Sequence, residues 1–311
     1  MALTAQALVA LLALVFSVPL GLFLHRLSGR LSLRAWARRV MSFFNGRLNR
    51  PQRGEKALLI RGAVALALIL LPLFGITAAF GAATAPAPGI NALAALLLAA
   101  PALESGRLFQ FYRRLARAAQ GTDIHALHGV LAMGRERYGF GTRRLDQLDR
   151  TDLLRLATDQ GAIGFGQGVI APLFWLAFFG LTGLATSLAL RGCVMAFRRA
   201  GVARGAFAFA AERLDWALGY LPVRLAALTW CLAAAFVPGA SWRGGLLRWR
   251  YAGEFGIDLN DRVMLAVASG TLSELYQRPM RLLSAFWYLI AVALLIGGLL
   301  LSVLLLFSIP V

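Results

Sequence analysis

The chain has 311 residues, 59% of them hydrophobic and only 15% charged, and a formal net charge of +18. Soluble domains carry roughly 25% charged residues, so a single water-soluble core of this size is excluded, and the composition predicts an all-α, polytopic integral membrane protein. The charge comes from 31 arginines and one lysine against 14 acids. Those arginines flank apolar segments and are not interleaved with aromatics on a soluble module, which argues against nucleic acid as a partner.

Ala2 to Leu24 is the first apolar segment. It has no basic n-region and no small-residue cleavage site before His25, and it reads as a retained helix. From Arg26 to Lys56 nine basic residues meet one acid, Glu55. The positive-inside rule makes this basic loop, residues 25–57, cytoplasmic. Within it Arg34 to Phe44 reads as an interfacial amphipathic helix with Trp36, Val40 and Phe44 on one face. Arg34, Arg38, Arg39, Arg47 and Arg50 suit the anionic headgroups of the lipid bilayer.

Gly62 to Leu103 is long enough for two spans, and APAPGIN (Ala85 to Asn91) divides it into a hairpin whose second arm is about one marginal span. Ten basic and seven acidic residues between Glu104 and Asp159 mark a cytoplasmic helical insertion, residues 104–159. Leu103 to Gln120 reads as a basic helix, and GTD (Gly121 to Asp123) caps a second helix, Ile124 to Met133. GRERYGFGTRR (Gly134 to Arg144) reads as a glycine-rich basic loop, and its Arg135, Arg137, Arg143 and Arg144 suit phosphate. His125 and His128 share a helix face, but no third ligand is near, and no metal site is predicted.

LDRTDLLRLATDQ (Leu148 to Gln160) is helical and leads into a stretch without one charged residue, Gln160 to Leu190. Pro172, behind glycines at 161, 164, 166 and 168, predicts a break there. Leu221 to Val237, with Pro222 at its start and Pro238 just after it, is a shorter candidate, and Leu282 to Val311 is the last apolar segment. Four to six membrane segments result, two of them doubtful. If Gln160 to Leu190 and Leu221 to Val237 each cross once, Arg191, Arg198, Arg199 and Arg204 face outside, which the positive-inside rule disfavours. Re-entrant or broken helices would keep them cytoplasmic, and such backbone is tolerated where it is buried in protein or lines a cavity. The expectation is an N-out, C-out, multi-pass protein of the plasma (inner) membrane, treated as one domain over residues 1–311. Cys193 and Cys231 read as packed thiols.

The string LDRTDLLRLATDQGAIGFGQGVIAPLFW (Leu148 to Trp175), followed by ERLDWALGYLPVRLAAL (Glu212 to Leu228), resembles the CobD/CbiB family of membrane proteins and its relative AmpE. In that family the first block reads like LDxxGIxRAxVESxAENxxDGVxAPLFW and the second like RLDDxxNxxPARL. The similarity is clear over residues 104–228 and weak after Gly239. The resemblance implies adenosylcobinamide-phosphate synthase activity, the ATP-dependent joining of aminopropanol or its phosphate to a carboxylate of adenosylcobyric acid. It also implies a corrinoid substrate, with Mg²⁺ and ATP as cofactors of an active enzyme.

Matched to the family pattern are Asp149, Arg155, Asp215, Pro222 and Arg224, with Asp159 where the family has Glu. Three polar positions of its Glu-Asn-x-x-Asp cluster are occupied by Ile163, Gly164 and Gln167, and its Asn-Thr-x-Asp element by ALRGCVMAFRR (Ala189 to Arg199), which has no carboxylate. Asp149, Arg150, Arg155, Asp159, Gln167, Asp215 and Arg224 are the substrate-binding candidates, with no catalytic residue assigned. The plainer readings are helix capping or solvation for Asp149, a water boundary for Asp159 and snorkelling for Arg224. GFGQG (Gly164 to Gly168) matches no nucleotide loop and suits close helix packing. Two functions remain open: a synthase-like amide ligase with a modified site, or a non-catalytic AmpE-like regulatory or accessory protein. A second copy of the chain or a partner membrane protein is the further partner considered, and whether it supplies the missing carboxylates stays open in the sequence.

Overall fold

A computed structural model describes residues 6, 8–16, 32–103, 105–121, 123–138, 148–200, 205–252, 259–276 and 278–307. All regular structure among the described residues is helical, with no strand. Four stretches are long and apolar enough to cross a membrane: Glu55–Ala83, Arg150–Arg198, Phe209–Ala234 and Arg281–Leu299. The protein is therefore an all-α membrane protein, as the composition requires. The chain divides into two compact units, the first formed by Met1–Leu103, Pro172–Gly219 and Leu301–Val311, the second by Glu104–Ala171 and Tyr220–Leu300.

In the first unit a short helix α1 covers residues 8–16, followed by α2 (Leu33–Leu48), α3 (Glu55–Ala83) and α4 (Pro88–Ala102). Ser32 caps α2 by accepting a hydrogen bond from the Ala35 amide at 3.2 Å. The expected interfacial helix is present but packs differently. Ala37 and Met41 are fully buried and Arg34 is buried beside them, Val40 and Phe44 pack on the same core, and Trp36 is left exposed. Small residues on that side let α2 approach its neighbours, which one face of large aromatics would prevent. The hairpin break is where the Pro/Gly turn predicts it: α3 ends at Ala83 and α4 begins at Pro88, where a proline's missing N–H costs nothing. Ile69 and Leu66 of α3 join Cys193 and Phe197 of α8 (Ala171–Arg199) and Phe207 in the core of this unit.

The predicted break at Pro172 lies elsewhere. A π-helical turn, Gly166–Ile170, precedes α8, and its wider path carries the helix through the proline that lacks an N–H. The backbone leaves helical geometry at Gly180, at φ 60° and ψ −147°, a conformation that only glycine adopts without strain. The charge-free stretch is thus a broken helix, with the break eight residues after the proline. Pro222 likewise breaks nothing. Helix α9 runs from Phe209 to Ala234 through it, beginning well before the predicted Leu221.

The second unit contains α5 (Ser105–Gln120), α6 (Ile124–Tyr138), α7 (Arg150–Phe165) with the π turn, the later part of α9, α10 (Trp242–Arg250), α11 (Leu259–Thr271) and most of α12 (Pro279–Phe307). Helix α6 continues through Gly134 to Tyr138, where a glycine-rich loop was expected, because Arg-Glu-Arg propagates a helix well. The core is aromatic. Tyr112 stacks on Phe286 and Trp287 at centroid distances of 5.7 and 5.3 Å, and Trp230 lies 5.4 Å from Phe165 and 5.6 Å from Phe286. Gly161 makes room for the Phe286 ring: a Cβ there would stand 2.2 Å from Cζ. The Trp230 indole N–H donates to the Thr271 hydroxyl at 3.2 Å, so the one polar atom of that buried ring is satisfied.

Candidate functional site

Five of the seven predicted substrate-binding residues lie on α7, at its N-cap or in its π turn, within the second unit. Asp149 is the N-cap of α7: its Oδ1 accepts from the Asp152 amide at 2.7 Å. The plainer reading of that residue holds. Arg150 is also committed locally, with Nη2 donating to the carbonyls of Gly121, at 3.0 Å, and Ala119 at the end of α5. These two residues fix the entry of α7.

One to three turns further along, the same helix presents different chemistry. The guanidinium of Arg155 lies 5.1 Å from the ring centroid of Tyr276, which follows the short 3₁₀ turn Ser273–Leu275 after α11. The Tyr276 phenol is pushed up to about 12, chiefly by burial and secondly by the negative charge of Asp159. The Thr158 hydroxyl and the positive charges of Arg155 and Arg248 act in the opposite direction. Arg155, Asp159, Arg248 and Tyr276 therefore form one cluster, with a phenol held neutral between charges of both signs.

At the far end of this helical run, Gln167 lies in the π turn, and its Nε2 donates to Oδ1 of Asp261 on α11. The Gln167 Oε1 atom is buried without a hydrogen-bond partner. One residue earlier, Gly166 faces Met264: a Cβ there would be 3.1 Å from its Cγ. The pairs 167 with 261, 166 with 264 and 155 with 276 show that α7 and α11 run antiparallel. Gln160 adds a further buried polar group. It is 1% exposed, and neither atom of its amide has a partner. Ile163, at the position of the family's glutamate, is buried in the core at 1% exposure, and Gly164 beside it is buried too. Those two positions no longer carry polar chemistry.

The remaining substrate-binding candidates, Asp215 and Arg224, each have contacts within their own unit. Asp215 belongs to the first unit, where its Oδ2 meets Arg191 Nη1 at 2.7 Å in a largely buried ion pair. Arg224, in the second unit, donates to the Tyr220 carbonyl at 3.0 Å and covers the Tyr220 ring at 3.3 Å from its centroid. Arg135 and Arg137 lie in the last turns of α6, but their side chains are outside the described residues, as are Arg143 and Arg144 entirely. His125 and His128 are ring neighbours at 6.1 Å, and among the described residues no three His, Cys, Asp or Glu side chains gather to hold a metal.

The family model described as CobD/Cbib protein matches residues 14–275. The chain belongs to the CobD/CbiB family. Two curated relatives, each named cobalamin biosynthesis protein CobD, are similar to it. That of a Sinorhizobium species is 29% identical over 210 residues, 65% of this chain and 61% of the relative. That of Chromobacterium violaceum is 30% identical over 219 residues, 68% of this chain and 63% of the relative. The chain thus spans somewhat over three fifths of the length of the relatives it matches. No solved structure matches it.

In a CobD/CbiB chain, the pairing of Gln167 with Asp261 falls at a position of the family pattern. Aligned without gaps, Gln167 stands where the family has aspartate, and the structure brings a carboxylate to that position from α11. Sequence reasoning missed Asp261, Tyr276 and Arg191. Asp261 and Tyr276 lie beyond the region of clear similarity, and Arg191 read only as a boundary charge.

Proposed function

We propose that the protein serves cobalamin biosynthesis and performs the amide ligation of its family, joining aminopropanol or its phosphate to a carboxylate of adenosylcobyric acid with ATP. The observation that carries this reading is Asp261 against Gln167, a carboxylate at the family's acidic position delivered by a different helix. The match over residues 14–275 and the names of the relatives support the pathway. Amide formation from a carboxylate needs one oxygen activated as a leaving group, and phosphate chemistry of that kind calls for an acid to hold Mg²⁺ and for fixed positive charge.

The residues present fit Mg²⁺ in its usual nucleotide-borne form, in which one or two carboxylates and the substrate phosphates share the ion. Asp261 and the buried, unpartnered Oε1 of Gln167 would hold it. The ion would draw charge from the transferring phosphate. Arg155 and Arg248 supply permanent positive charge beside Tyr276, where a phosphate or carboxylate of the substrate would be met, and the neutral phenol of Tyr276 can donate a hydrogen bond to it. The plasma (inner) membrane is the site of action on this reading.

The test is ATP-dependent amide formation from adenosylcobyric acid by the purified protein, with rescue of a synthase-deficient strain. Wild type should turn over, and Asp261→Asn should lose about 100-fold or more in rate, as for removal of one transition-state contact. Absence of both turnover and rescue sinks the ligase reading. A second reading, a non-catalytic AmpE-like accessory protein, is favoured by one observation, the burial of Ile163 and Gly164 where the family has acid and amide. It predicts full function in vivo for Asp261→Asn, which the ligase reading forbids.

A further inference from the structure

Helix α10, WRGGLLRWR from Trp242 to Arg250, contains no acid and has no place in the site described above apart from Arg248. Its two faces differ sharply. Ser241 caps it by accepting from the Gly244 amide at 3.1 Å, and Gly244 and Gly245 form the inner side. A Cβ on Gly244 would stand 2.5 Å from the Gly270 carbonyl oxygen, and one on Gly245 would stand 2.6 Å from Thr271 Cγ2. The helix is thereby pressed against α11 backbone to backbone, and its orientation is fixed.

With 3.6 residues per turn, the side opposite these glycines carries Trp242, Arg243, Leu246, Leu247 and Arg250. Trp242 is 44% exposed and Leu247 59%, and Tyr251, just past the helix, reaches 82%. The Arg243 guanidinium lies over the Trp242 ring at 5.4 Å. A face that mixes indole, leucine and arginine without any carboxylate matches neither water nor hydrocarbon, but it matches the layer between them. There the rings and aliphatic side chains reach the acyl boundary and guanidinium groups meet phosphates. Connectivity agrees. The membrane-spanning α9 ends at Ala234, and the seven residues before Trp242 can extend at most about 25 Å.

We infer that the outer face of α10 is a docking surface for anionic phospholipid, with Arg243 and Arg250 on the headgroup phosphates and Trp242 and Leu247 entering the interface. The positive charge selects the anionic bilayer as occupant, and the exposed apolar side chains distinguish it from a site for a soluble anion.

The experiment uses the full chain, one copy per nanodisc, with Leu247→Cys carrying an environment-sensitive NBD label. Cys193 and Cys231 are buried, and labelled wild type provides the background. Discs of phosphatidylcholine alone are compared with discs containing phosphatidylglycerol. The label should be quenched by headgroup-proximal doxyl lipid and shielded from aqueous iodide, and quenching should rise roughly twofold with the anionic lipid. Arg243→Gln with Arg250→Gln should abolish that rise while the helix stays in place, as checked by unchanged amide exchange of α11. Full iodide access in both lipids overturns the inference, and so does quenching indifferent to lipid charge. A label shielded only when two copies share a disc also overturns it, in favour of self-association. A Trp242→Tyr variant, which keeps an interfacial ring, should retain the behaviour, so misfolding of the arginine variant cannot decide the outcome.

Discussion

Each unit of the molecule holds an arginine and an aspartate in or beside the blocks that resemble the family, and the two pairs are arranged in opposite ways. In the first unit Arg191 and Asp215 meet head to head at 2.7 Å, with side chains 9% and 21% exposed. In the second, Arg155 and Asp159 both bear on a third group, the phenol of Tyr276. A direct buried pair neutralises itself and leaves no charge for a ligand. Charges that act on a shared neutral phenol are not cancelled in a single direct pair. On the proposed reading the first arrangement serves the fold and the second a site, although in sequence both present an acid and a base near apolar segments.

Breaking the closed pair should have the largest effect on stability. Arg191→Met leaves Asp215 buried without its cation, and the expected loss is about 3–5 kcal/mol. The double variant Arg191→Met with Asp215→Leu should recover most of it, since replacing both ions by apolar groups of similar volume is often neutral. Chemical denaturation in detergent micelles measures both. If the single variant is as stable as wild type, the pair is not structural and Asp215 returns as a site candidate.

The open cluster should respond in the other way, with little loss of stability and a large loss of function. Asp159→Asn is expected to unfold no more easily than wild type, yet to lower amide formation by about tenfold or more. Its sharper signature is the titration of Tyr276, read as the ultraviolet phenolate difference between each protein and its Tyr276→Phe partner. The phenol should titrate near 12 in the parent and lower in Asp159→Asn, because one of the two influences that raise it is removed. The sign for stability follows. The folded state holds this proton more tightly than the unfolded chain, whose tyrosines titrate near 10. The contribution is therefore fully present below about pH 10 and declines as pH rises towards 12. A phenol unmoved by Asp159→Asn would remove Asp159 from the cluster.

The contrast also separates what could be read from the chain and what could not. Local signals were reliable. The apolar stretches at α3, α8 and α12, the Ala85 to Asn91 hairpin, the α7 helix and the cap at Asp149 all depend on residues a few positions apart, whereas most of Ala2 to Leu24 lies outside the described residues. Proline misled in two places, because the π turn at Gly166–Ile170 absorbs Pro172 and α9 runs through Pro222. The π turn has no sequence signature of its own, and the real break at Gly180 looks like any other small residue in an apolar run. The site needed tertiary structure. Gln167 and Asp261 are 94 positions apart, and nothing near Asp261 marks it as the acid that faces the family's position. Tyr276 joins α7 only because α11 returns antiparallel to it.

The smallest expected effect tests whether the family pattern on α7 divides into an architectural half and a chemical half. Asp149 matches the family pattern and Asp159 stands where the family has Glu, but the Asp149 Oδ1 holds the Asp152 amide. Asp149→Ala should cost about 1 kcal/mol, the usual loss for an N-cap, and Asp149→Asn or Asp149→Ser, which also cap, should restore it. Amide formation by the folded fraction should be unchanged in all three. Asp159 has no such substitutes, because its influence on Tyr276 is through charge, and serine cannot supply that. Capping residues that rescue position 149 and fail at position 159 would assign the two aspartates of one helix to different tasks. A loss of rate in Asp149→Ser, with stability intact, would instead extend the site to the start of α7.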